Sequence, residues 1–229
     1  STFDPIGVTT DARRFGSTSF LATGTDQPVY TAAQAAYALG VPYFLDLRTA
    51  RMVTNKKDMK NVFKKTGIPT PKFRIIHKNA HIDALSGLTP PFVVKPLDSQ
   101  GQRGIYRFDT YAEIIDILPY VLSFSKEHEV LVEEYYPSDE VTVSGWVENG
   151  EYIHLLVTDR LSKENPPHIG VCLAHHYPSV HQPRINEICS LTKDIIKGFQ
   201  ITKGPIYFQY LIGKEGIKVN EIACRLGGA

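Results

Sequence analysis

Lys95 closes the apolar run Phe92-Val93-Val94-Lys95-Pro96, where an ammonium loses hydration and needs either an anionic partner or a route to solvent. A phosphate would satisfy it; a stem that snorkels outward is the plainer alternative. The loop that follows, residues 98 to 104, holds Ser99, Gly101 and Gly104 among small polar residues. Its backbone amides can fold over a phosphate as a flap, or it can be an ordinary hairpin tip. Lys56 stands in the first turn of an expected helix, where the helix dipole disfavours a cation and a bound anion would compensate. As a solvated neighbour of Lys57 and Lys60 it would need no such partner. One lysine and one unit of phosphate charge attract by roughly 4 kcal/mol at about 4 Å and an effective dielectric of about 20. Two lysines do not neutralise a polyphosphate, so this set requires a metal ion.

The candidate metal ligands are Gln209 and Glu221, on two expected strands joined by a short turn that sets them side by side. One carboxylate and one amide oxygen suit magnesium, which keeps several waters and takes phosphate oxygens as further ligands; manganese is the substitute. Arg225 can stabilise charge on a transferring phosphoryl group, or form a simple salt bridge with Glu221. Arg160, at another strand end, can face an acidic substrate or the terminal phosphate, or pair with Asp159. Glu133, Glu134, Tyr135 and Tyr136 end a strand at a linker whose backbone can meet an adenine edge, with Glu140 beyond it to accept from ribose hydroxyls; a polar hinge is the alternative. His175 and His176 are strand neighbours on opposite faces and cannot chelate one metal together, so they read as structural or at most as one substrate contact. Cys172 and Cys189 read as core residues.

Stepwise patterning supplies the elements that must carry these groups. Ile6 to Thr9 and Ser19 to Thr23 read as strands around a helix capped by Asp26 and ended by Gly40, which implies the end of a parallel sheet. A second helix runs from an Asn55 cap to Gly67. Strands follow at 72 to 76, Phe92 to Lys95, Ile105 to Phe108 and Val130 to Tyr135, with a weak helical stretch at 79 to 86. Between the last two strands lies a helix with a Thr110/Glu113 capping box, which Pro119 should kink or shorten. Beyond Pro137 come long alternating strands, Val141 to Val147, Tyr152 to Thr158 and Ile169 to His175, then a helix opened by Pro183 and strands Ile206 to Ile212 and Ile217 to Ile222.

At 229 residues the chain can bury a core without staples. Its 25 basic and 24 acidic residues leave no field to attract nucleic acid or an anionic membrane, so an anion site must be local. Three scattered cysteines suggest a reducing compartment, with the cytoplasm as default, and neither a disulfide framework nor a zinc site. No apolar run approaches the roughly 18 to 20 residues of a membrane span. A start at Ser1 and a stop at Ala229 just past a charged motif are expected of a fragment.

In order, Asn55-Lys56 before Ile68-Pro69, Val93-Val94-Lys95-Pro96 with its flap, Val132-Glu133-Glu134-Tyr135, Phe208-Gln209-Tyr210 and Asn220-Glu221 through Gly228 resemble the ATP-grasp superfamily. The chain looks closest to the branch of the carbamoyl phosphate synthase large subunit and the carboxylate-amine ligases. The resemblance spans about residues 50 to 229 and implies an α/β (α+β) fold in which two α+β subdomains clamp ATP. It implies boundaries of 1–48 for the end of a Rossmann-like parallel-sheet domain, 49–136 for the first subdomain and 137–229 for the second. It further implies ATP and magnesium, with Lys56 and Lys95 on the phosphates, Glu133 and Tyr136 at adenine, Glu140 at ribose, Gln209 and Glu221 on the metal and Arg225 on the phosphoryl group. The reaction implied is phosphorylation of a carboxylate to an acyl phosphate that an amine attacks; both substrates are small molecules, and a homo-oligomer is allowed. One departure stands at Ala223, where many members carry an asparagine, which leaves a second metal ion without that ligand. Alternatives are an ATP-binding module without turnover, a fragment of a larger carbamoyl phosphate synthase-like enzyme, or a structural domain.

Overall fold

The computed structural model describes residues 1, 3–20, 24–99, 101–165 and 167–227. Its first segment is helical. Helix α1 (Pro5–Arg14) starts where a strand is expected from Ile6 to Thr9: Asp4 accepts from the Gly7 amide, Pro5 takes the first helical position, and the Thr9 hydroxyl donates back to the Pro5 carbonyl at 2.6 Å. The β-branched residues suggested extension, and the local Asp-Pro start overrides them. Of the second expected strand, Ser19 and Phe20 are irregular and 21–23 lie outside the described residues. Helix α2 (Asp26–Leu39) has Thr25 as its cap and Asp26 as its first turn, and ends on Gly40 in the left-handed conformation. No parallel strand pair occurs among the described residues.

Helix α3 (Leu47–Thr54), absent from the pattern reading, is capped by Asp46, which accepts from both the amide and the hydroxyl of Thr49. It runs directly into α4 (Lys56–Thr66), whose cap Asn55 accepts from the amides of Lys57 and Asp58 and whose stop is Gly67. Then come β1 (Phe73–His77), a 3₁₀ turn at Ile82–Leu85, β2 (Phe92–Pro96) and β3 (Tyr106–Phe108). Helix α5 (Tyr111–Leu122) carries the Thr110/Glu113 capping box and continues through Pro119, held down by Ile114, Leu118 and Val121. The remaining elements are β4 (Glu129–Glu134), β5 (Ser138–Glu148), β6 (Glu151–Asn165), β7 (His168–His176), α6 (Ile185–Phe199), β8 (Lys203–Gly213) and β9 (Gly216–Ala223). Pro183 lies in a 3₁₀ turn just before α6.

The strands form one nine-stranded sheet, β1-β4-β2-β3-β7-β6-β5-β8-β9, with antiparallel neighbours throughout. Two cores lie on it. The smaller gathers β1 to β4 under α5, around Phe92, Val94, Ile114 and Val132. The larger gathers β5, β6, β8 and β9 under α2, α3, α4 and α6, around Phe63, Phe199, Phe208 and Tyr210. The two halves of the sheet meet at a narrow seam, the pair Tyr106↔His168, reinforced by the Arg107 amide donating to the Pro167 carbonyl. Such a seam leaves a cleft between the halves. Among the described residues no helix is long and apolar enough to cross a membrane.

Candidate active site

The cleft holds a cavity of about 880 Å³, large enough for a nucleotide-sized ligand. Every sequence-selected residue lines it except Gly104: Lys56, Lys95, Ser99, Gly101, Glu133, Glu134, Tyr136, Glu140, Arg160, Gln209, Glu221 and Arg225 converge on one space. Gly104 serves packing instead. Its φ is +78°, and a Cβ there would lie 2.7 Å from Pro96 Cγ, so it turns the loop back against β2. The loop 98–104 is stitched by Ser99 Oγ donating to the Arg103 carbonyl and by Asp98 accepting from the Lys126 amide; Gln100 lies outside the described residues.

Both lysines are inside, so neither the snorkelling nor the solvated alternative holds. Lys56 is 6% exposed; its Nζ donates to the Ser99 carbonyl at 2.9 Å and lies 3.3 Å from Glu221 Oε1. Lys95 is 8% exposed and sits 2.6 Å from Glu133 Oε2, with Nζ donating to Asn220 Oδ1 at 2.8 Å. Glu133 lines the cavity, and its carboxylate is shared by Lys95 and by Lys60, whose Nζ is 2.5 Å from Oε1. Burial alone would raise the Glu133 carboxyl, but the two ammoniums overrule it and hold it below the usual range. Lys60 also meets the Thr70 hydroxyl, which donates to the Val219 carbonyl. This links α4 to β9 beneath the cavity floor.

Gln209 and Glu221 face each other across the β8–β9 ladder. The register slips between Gln209 and Tyr210, so β9 carries one extra residue there, Asn220. A bulge of this kind lets neighbouring side chains share a face, and Asn220 and Glu221 both line the cavity. Asn220 accepts from Lys95 and donates to Gln209 Oε1 at 3.4 Å. Burial pushes the Glu221 carboxyl up, and Lys56, Lys95 and Arg225 together bring it below its usual range, so it stays an anion. Among the described residues no cluster of three or more His, Cys, Asp or Glu could hold a metal ion. A metal ion held here would rest on the Glu221 carboxylate and the Gln209 amide oxygen, a hard oxygen set of the kind magnesium accepts.

Arg225 pairs not with Glu221 but with Asp26 of α2: Nε lies 2.5 Å from Oδ1 and Nη2 3.4 Å from Oδ2. Nη1 donates to the Leu226 carbonyl and the guanidinium lies over the Tyr207 ring, 5.1 Å from its centroid. Arg160 likewise ignores Asp159. It is ion-paired with Glu140 through Oε2 and donates to the Gly170 carbonyl at 2.8 Å. Asp159 instead accepts from the Ser179 hydroxyl and the Val180 amide. Glu134, at the cavity wall, accepts from the amide and hydroxyl of Thr89, and its own amide donates to the Lys72 carbonyl. The Tyr136 hydroxyl donates to the Gly216 carbonyl and accepts from the Glu215 amide, tying the linker after β4 to the β8–β9 turn.

His175 and His176 part as adjacent strand residues do. His175 Nδ1 lies 3.0 Å from Thr158 Oγ1, and His176 Nδ1 lies 3.4 Å from Asp159 Oδ2. Burial, and then Arg160, push the His175 imidazole below its usual range. Cys172 lies at the cavity wall, not in a core. The residues that pattern reading missed are Asp26, Lys60, Asn220 and Tyr207. Lys60, one turn after Lys56 on the same helix face, carried the only local signal.

Residues 54–229 match the family model described as phosphoribosylglycinamide synthetase, ATP-grasp (A) domain. The chain is 24% identical over 205 residues to phosphoribosylamine–glycine ligase of Methanococcus vannielii, covering 78% of this chain and 46% of that protein. It is 26% identical over 189 residues to an L-arginine-specific L-amino acid ligase of Bacillus subtilis, covering 79% and 45%. In structure it is similar to an L-amino acid ligase from Bacillus licheniformis, with a TM-score of 0.76 at 19% identity over 96% of this chain and 52% of that one. The chain thus spans about half the length of these relatives or less.

Proposed function

The chain belongs to the ATP-grasp family, by the match over residues 54–229, and from that premise we propose that it acts as an ADP-forming ligase that joins a small carboxylic acid to an amine. A carboxylate oxygen of the acid attacks the terminal phosphorus of ATP, and the bond from that phosphorus to the ADP oxygen breaks. The amine nitrogen then attacks the acyl carbon, loses a proton, and expels inorganic phosphate. The observation that carries this reading is the convergence of Lys56 from α4, Lys95 from β2, and Glu221 and Arg225 from β9 and the segment just past it, on one cavity.

In this reading the Lys56 and Lys95 ammoniums hold the ATP phosphates, preset by Ser99, Glu221, Glu133 and Asn220. The backbone after β4 meets the adenine edge. Glu221 and Gln209 hold magnesium, or manganese, which neutralises phosphate charge when bound. Arg225 steadies the transferring group, and Arg160, with His175 beside it, lines the end of the cavity open to the acid. Catalysis then comes from positioning and electrostatics without a protein nucleophile. The unpaired state of Cys172, Cys189 and Cys224 supports a reducing compartment such as the cytoplasm.

The test incubates the protein with ATP, magnesium, pools of acids and hydroxylamine, and measures hydroxamate and ADP. Hydroxamate formed with a particular acid, and lost in Lys95→Ala and Glu221→Ala, supports the ligase. ATP binding with no ADP release under any acid would replace it with a nucleotide-binding module.

A further inference from the structure

Asp26 is a carboxylate on the cavity wall, its side chain 13% exposed, that lies outside the family-matched residues. It stands in the first turn of α2, where the helix N-terminus favours a negative charge, and α2 is anchored by Val29 and Ala33 in the larger core. Its partner, Arg225, is 199 residues away in the chain. Asp26 takes the guanidinium side-on, through Nε and Nη2, while the Leu226 carbonyl takes Nη1 and the Tyr207 ring covers a face. A guanidinium has five N–H donors; three such bonds leave two for an anion in the cavity. The group is therefore held at an edge, a tip and a face, at the cavity wall.

We propose that Asp26 is a positioning residue that fixes Arg225 for the terminal phosphoryl group, making the helix before the family-matched segment part of the phosphoryl-transfer site. The inference rests on the reading of Arg225 given above. Without Asp26 the long arginine side chain regains rotamers, and its contact with the terminal phosphate loses the advantage of prior ordering. Asp26 also opposes the phosphates by charge, so a mere electrostatic neighbour and a positioning residue predict opposite signs. Removing a neighbour strengthens ATP binding. Removing a positioner weakens it.

The experiment measures MgATP and MgADP affinity by titration calorimetry for the wild-type chain, Arg225→Ala, Asp26→Asn and Asp26→Glu, with thermal unfolding of each. Arg225→Ala should lower the preference for MgATP over MgADP about tenfold. Asp26→Asn should lower the same ratio threefold or more, with MgADP affinity within twofold of wild type, and Asp26→Glu should fall between. A structural role alone would lower the melting temperature and weaken both nucleotides alike, leaving the ratio where it was, which overturns the proposal. A ratio that falls less than threefold or rises in Asp26→Asn also overturns it. If that variant does not fold, the Asp26→Glu ratio decides: any fall beyond twofold supports the proposal and a smaller change overturns it. An unchanged ratio in Arg225→Ala removes the Arg225 assignment and this inference together, whereas loss in Arg225→Ala without loss in Asp26→Asn sinks the inference alone.

Discussion

Glu133 and Glu221 are two carboxylates on the same cavity, each facing lysines from α4, and they differ in what is left over. Glu133 is 2% exposed and each of its oxygens already has an ammonium within 2.6 Å. Glu221 has a side chain 32% exposed and one lysine at 3.3 Å. The first is a closed junction that binds α4, β2 and β4 together; the second is an open one that still has lone pairs to offer. Charge type does not separate a strut from a ligand, and saturation does. Saturation does not separate the two arginines, since both line the cavity with a carboxylate and a backbone carbonyl already engaged, Glu140 and Gly170 for Arg160, Asp26 and Leu226 for Arg225.

The comparison predicts its own largest effect at the closed junction. Glu133→Gln leaves two buried ammoniums without their counter-charge and should cost about 3 to 5 kcal/mol of stability, read by urea unfolding, since breaking a buried ion pair costs that much. A loss under about 1 kcal/mol, the scale of an exposed pair, would erase the distinction. At the open junction, Glu221→Gln should lower magnesium-dependent turnover by a factor of about 100 or more, on the scale of losing a group that stabilises transition-state charge. Its stability should stay within about 1 kcal/mol of wild type, because the pair it loses is partly solvated and screened. Loss of fold in that variant would place Glu221 with the struts.

Acid should sharpen the same contrast more gently. Both carboxyls are held below their ordinary value of 4.5 in the folded chain, so they contribute stability above that pH and lose it as pH falls through their folded values. Wild-type stability should therefore fall as the pH drops below about 4.5. Glu221→Gln, with one fewer such group, should show a shallower fall in denaturant midpoint over that range. The smallest effect sets the scale for local structure away from both junctions. Thr110→Ala removes the α5 side-chain cap, in which the Thr110 hydroxyl oxygen accepts from the Glu113 amide at 3.3 Å, and should cost about 1 kcal/mol without touching nucleotide affinity.

Much of the fold was legible because its signals are local. The Thr110/Glu113 box, the Asn55 cap with Gly67 as stop, and the Asn149-Gly150 turn, where both residues take positive φ, each concern a few adjacent residues whose own hydrogen bonds settle the matter. The N-terminal stretch misled because Ile6, Val8 and Thr9 favour extension while Asp4 and Pro5 start a helix, and the start governed. Helix α3 went unseen because Asn55, read as the beginning of one helix, also ends another. Gly104 passed for a flap glycine because a sequence shows that a glycine is present but not which atoms crowd it.

By itself, then, the sequence determined which residues carry charge and most of the strands and helices that present them, while the bulge that brings Asn220 and Glu221 to one face came only with the β8–β9 register. Tertiary structure alone decided the pairings: Lys95 with Asn220 across 125 residues, Arg225 with Asp26 across 199, Glu133 with Lys60 and Lys95, Arg160 with Glu140. Strand periodicity is a property of the local backbone, whereas the energy of an ion pair depends on separation and on how much water remains around it, and both are set only when distant elements close over the same cleft.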